Sequence, residues 1–75
     1  MSFQAYIDTI QTRTGHGPEQ FQRLAAAKGF ADDEGLKAGV KAGDIIAWLK
    51  RDFALGHGHA MAIVALLKGT KRPGD

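Results

Sequence analysis

The chain has no cysteine among its 75 residues. That absence excludes disulfide staples, cysteine-ligated zinc and thiol nucleophiles together. A long hydrophobic run is also missing. The longest, Ala60 to Leu67, spans eight residues, against the roughly 20 that a membrane-spanning helix needs. The opening Met1-Ser2-Phe3-Gln4-Ala5-Tyr6 has neither a basic segment nor an extended apolar one. No targeting signal is read there, so the expectation is a cytoplasmic chain without a membrane partner. Charge of one sign is barely in excess: ten Lys and Arg against eight Asp and Glu give +2. Nucleic acid is therefore a secondary expectation at most. There is no P-loop, no nucleophile elbow and no metalloprotease motif, and no pair of carboxylates flanks a recognisable pocket former. The reading is of a protein that is not an enzyme and carries no cofactor.

What is present describes a small globular domain. Apolar residues make up 44% and charged residues 24%, a balance that argues against intrinsic disorder. A chain this short buries only about 60% of its unfolded surface. Ordering it costs on the order of 100 kcal/mol, which burial must nearly offset. The six aromatics, Phe3, Tyr6, Phe21, Phe30, Trp48 and Phe53, are thus assigned to structure first. A partner that buries further surface would relieve the thin margin.

Glycines and capping residues divide the chain. Ser2 is a good N-cap, and Phe3, Tyr6, Ile7 and Ile10 follow at helical spacing. Gly15 and Gly17 end that helix. Pro18 suits the first position of a second one, which carries Phe21, Leu24 and Ala25 and stops at Gly29. Ile45, Trp48, Leu49 and Phe53 make the core-facing stripe of a third. The run Ala60 to Leu67 is apolar on every side, which marks a surrounded helix. The expected fold is all-α: a compact bundle of four short helices near residues 3–14, 18–28, 43–54 and 59–68, the last at its centre. Residues 1–69 form one domain in this reading and 70–75 a loose tail. Residues 30–43, with the acidic turn Asp32-Asp33-Glu34-Gly35, read as a loop with at most one helical turn. No strand-like alternation is seen.

The segment from Lys41 to Val64, with Lys41-Ala42-Gly43, Trp48-Leu49-Lys50 and Leu55-Gly56-His57-Gly58-His59-Ala60-Met61, resembles a family of small bacterial proteins known as a domain of unknown function. Ser2 to Ile7 and the Thr14-Gly15 turn resemble the N-terminal part of that family, and the likeness spans residues 2–69. The chain departs from the pattern at Ala31 to Lys37, where its acidic stretch is longer. The resemblance implies a bacterial, cytoplasmic, helical domain. It transfers no catalytic residue.

Two constellations could carry chemistry. His57 and His59 form an H-x-H pair and, with His16, make the candidate metal site, because imidazoles ligate zinc, copper and nickel. Residues two apart on a helix point about 200° from each other, so the pair converges only in turn or extended backbone. The plainer reading exposes His57 in a turn and packs His59 at the start of the fourth helix. Gly56-His57-Gly58 also looks like the hairpin of helix-hairpin-helix modules, where glycines let backbone N–H groups approach a phosphate. In that reading Lys50, Arg51, Gly56, His57, Gly58 and Lys68 bind nucleic acid. Against it, His57 stands where the motif prefers an aliphatic anchor, and no Lys or Arg follows Gly58 until Lys68. Helical spacing places Trp48 and Met61 in the core; the opposite reading makes them surface anchors. The leading expectation is a non-enzymatic module that self-associates as a homodimer or docks onto a protein partner. Nucleic-acid binding is the alternative.

Overall fold

A computed structural model describes residues 2–32, 35–72 and 74. It contains four helices and one very small antiparallel ribbon: α1 (Phe3–Thr14), α2 (Pro18–Lys28), β1 (Ala31–Asp32), β2 (Gly35–Leu36), α3 (Ala42–Phe53) and α4 (His57–Lys68). Each helix begins where a local hydrogen bond satisfies an otherwise unpaired backbone group or where the backbone turns extended. The Ser2 hydroxyl accepts the Ala5 N–H at 3.2 Å to start α1. The Gln20 side chain reaches back to accept the Gly17 N–H at 2.7 Å as α2 opens behind Pro18. The Asp44 carboxylate accepts the Lys41 N–H at 3.3 Å as α3 opens. Gly15, Gly29 and Gly69 close α1, α2 and α4 in the left-handed conformation, which glycine adopts without strain.

The all-α expectation holds, and so does the central place of α4, which packs against α1, α2, α3 and the ribbon strand β2. From α4, Ala60, Ile63 and Val64 are buried; Ile7 and Ile10 meet them from α1, Phe21 and Ala25 from α2, and Ile45, Trp48 and Leu49 from α3. Among the described residues no polar or charged residue is buried. None of their helices is long and apolar enough to cross a membrane.

Two expectations need correction. The stretch after α2 is not a loop with a helical turn. Ala31 pairs with Leu36 and Asp32 with Gly35, and the Lys37 N–H extends the ladder to the Phe30 carbonyl at 3.0 Å. A ribbon this short has no room to show a period of two in the sequence. Of the expected acidic turn, Asp33 and Glu34 lie outside the described residues. The second correction is the start of α4, at His57 rather than residue 59. Gly56 is the N-cap, and the Ala60 N–H closes the first helical bond on the Gly56 carbonyl at 2.9 Å. Burial of Leu55 and Ala60 on either side outweighs the roughly 1 kcal/mol that a helical glycine costs. Beyond α4, the Thr70 and Lys71 N–H groups bond back to the Ala65 carbonyl at 3.1 and 3.4 Å, and the Gly74 N–H reaches the Gln4 side chain.

Candidate functional site

The glycine–histidine segment sits at the junction of α3 and α4. Ala54 closes α3 with φ of +55°, Leu55 turns inward, and Gly56 hands the chain to α4. His57 and Gly58 are exposed in its first turn. His59 is half-buried, and its ring meets Tyr6 of α1 edge-on at 5.5 Å. His16, in the link between α1 and α2, packs edge-on against Phe21 at 5.8 Å and Phe53 at 5.4 Å. Its Nδ1 is shielded from solvent and accepts or donates no hydrogen bond among the described residues. His16 and His59 are thus engaged by different aromatic neighbours. No group of three or more His, Asp or Glu among the described residues is placed to hold a metal ion.

The basic residues divide likewise. Lys50 and Arg51 occupy the last turn of α3 and are exposed. Arg51 holds Asp52 at 3.2 Å. Lys68 ends α4, eleven residues beyond His57, which at 1.5 Å per residue sets it about 16 Å along the axis. Gly56, His57 and Gly58 therefore share one end of the molecule with the α3–α4 junction, and Lys68 lies at the other. The carboxylates have local work: Asp8 accepts the Gln4 amide at 2.9 Å, Asp44 opens α3, and Asp52 also meets Lys28 of α2 at 3.8 Å.

Trp48 and Met61, placed together in the core by spacing, have opposite fates. Trp48 is 2% exposed, between Phe30 and Phe53. Met61 is 41% exposed, the one large hydrophobic side chain at the surface among the described residues. The eight-residue apolar run contains no polar residue to mark an outer side, so its pattern carries no sign of which position faces out. Gly58, Met61 and Ala65 share one side of α4 by their spacing; Gly58 is exposed and Ala65 half-buried.

Two concavities went unread in the sequence, because their residues look like an ordinary solvated helix face. The larger, about 630 Å³, lies between α2 and the last turn of α4 and includes Glu19, Arg23, Asp32, Leu66, Leu67 and Lys68. The smaller, about 200 Å³, is formed by His16, Gln20, Arg23 and Leu24. Arg23 borders both.

Fold and surface together define a small four-helix domain with a sheltered aromatic core, an exposed methionine on its central helix and shallow recesses along α2. The chain belongs to the family described as Domain of unknown function (DUF4287), whose model matches residues 2–69. No curated protein and no solved structure matches it.

Proposed function

We propose that this domain is a non-enzymatic interaction module that self-associates through the exposed side of α4. One observation carries the reading: Met61 lies 41% exposed on the helix that otherwise forms the centre of the core. A thioether flanked on its own helix by Gly58 and Ala65 offers a low, deformable apolar surface to another helix. The gain is modest. Full burial of a methionine side chain is worth about 1.5–3 kcal/mol, and part of Met61 is already covered, so the association is weak and concentration-dependent. The non-enzymatic side of the reading is supported by the engagement of the side chains that chemistry would need: His16 and His59 on aromatic rings, Asp8, Asp44 and Asp52 in local polar contacts.

Phosphate binding at the start of α4 has less behind it, since Lys68 stands at the far end of that helix and Arg51 is held by Asp52. Sedimentation equilibrium tests the leading reading. The native chain should show an apparent mass that rises with concentration. Met61→Lys should weaken the association by about tenfold or more, because a charge in an apolar contact must be desolvated. A native chain that stays monomeric up to millimolar concentration contradicts it.

A further inference from the structure

Sulfur, on cysteine or methionine, is the side-chain atom that mild oxidants such as hydrogen peroxide attack. Cysteine is absent here, and of the two methionines only Met61 falls among the described residues. Its side chain is 41% exposed on the outward side of α4. Gly58 and Ala65, three and four positions away on that side, carry nothing long enough to shield the thioether. The core leaves Met61 out: the buried residues of α4 are Ala60, Ala62, Ile63, Val64, Leu66 and Leu67. An oxygen added to the Met61 sulfur therefore meets water and not the packed interior.

We propose that Met61 is a site of reversible oxidation whose sulfoxide switches off the contact between copies of this chain, an inference that rests on the self-association proposed above. Hydrogen peroxide transfers one oxygen to the Met61 sulfur and leaves as water; the sulfur loses two electrons and the peroxide gains them. A dithiol, acting through a methionine sulfoxide reductase, removes that oxygen as water and becomes a disulfide. The sulfoxide replaces a flexible apolar side chain with a polar one. On the free chain its oxygen stays hydrated. Between two α4 helices it must shed that water, and Gly58 and Ala65 offer no side-chain donor in return. The two states exclude each other: a copy seated on Met61 also keeps peroxide from its sulfur.

The experiment treats the full chain with hydrogen peroxide, locates the added oxygen by fragment mass spectrometry and repeats sedimentation equilibrium. The Met61 sulfoxide should associate about tenfold more weakly or worse; an amide spectrum unchanged away from Met61 verifies its fold. Treatment with the reductase and a dithiol should restore the association. Met61→Leu keeps an apolar side chain of similar volume and has Met1 as its only sulfur. It should associate as the native chain does, and peroxide should leave it so. Untreated native and Met61→Leu chains that both stay monomeric to millimolar concentration contradict the self-association, and this inference with it. An untreated chain that associates and a sulfoxide that associates equally overturn the switch alone. So do an oxidised chain that loses its fold and a Met61→Leu chain whose association falls with peroxide.

Discussion

Trp48 lies between Phe30 and Phe53, with ring centroids at 5.6 and 5.8 Å, and Phe53 continues the chain of edge contacts to Phe21 at 5.3 Å and to His16. Truncating the indole opens a cavity at the middle of that chain. Trp48→Ala should cost about 3–5 kcal/mol, a large share of a stability that for small domains totals about 5–15 kcal/mol. Chemical denaturation reads the loss directly, and an unchanged midpoint would mean that Trp48 is not enclosed. Gly35 is the second residue whose replacement is decisive. Its φ of +122° is a conformation that other residues rarely adopt, and an added Cβ would stand 3.4 Å from the Leu67 carbonyl oxygen. Gly35→Ala should therefore destabilise by about 1–3 kcal/mol, measured by thermal melting, through loss of the contact between β2 and the end of α4.

At the scale of elements, the glycines inside helices give a prediction of the opposite sign. Gly43 and Gly58 have ordinary helical backbone and nothing within 4 Å of where a Cβ would go. Gly43→Ala and Gly58→Ala should each stabilise by about 0.5–1 kcal/mol, read by thermal melting. Ala54 is the reverse case, a non-glycine residue at φ of +55° closing α3. These same positions explain what the sequence could reveal. The spans of α1 and α2 were legible because Ser2, Pro18, Gly15 and Gly29 punctuate them chemically, and the span of α3 came within one residue at each end. The start of α4 was not, because a propensity rule about Gly58 competed with the burial of Leu55 and Ala60, and burial prevailed. The ribbon at Ala31–Leu36 was unreadable, since pairing of two-residue strands depends on the Phe30 and Gly35 contacts and not on any local pattern. The candidate surfaces were the least legible. Met61 is concealed within a uniformly apolar run, and the recess at Arg23 exists only because the α1–α2 link brings His16 beside α2.

For the whole molecule, the small charge excess and the separation of Lys68 from Lys50 and Arg51 set the expectation for polyanions. Duplex and single-stranded DNA should show no saturable binding even at low salt, the condition most favourable to it. Saturable binding that disappears in Gly58→Ala would transfer the functional reading to the first turn of α4, where a Cβ would block the approach of a phosphate. The domain is instead built around one helix that forms its core and, in the proposed function, would also serve as its outward contact. Ile63 and Val64 hold the interior, and Met61 faces out one turn away. Such an arrangement couples association to stability, because a partner that covers Met61 binds only the folded state. The most direct measurement is the methyl resonance of Met61, labelled with ¹³C, followed from micromolar to millimolar protein. A shift that grows with concentration, with intermolecular contacts from the methyl to a second copy of α4, is the predicted result. A Met61 resonance that does not move across that range contradicts the account.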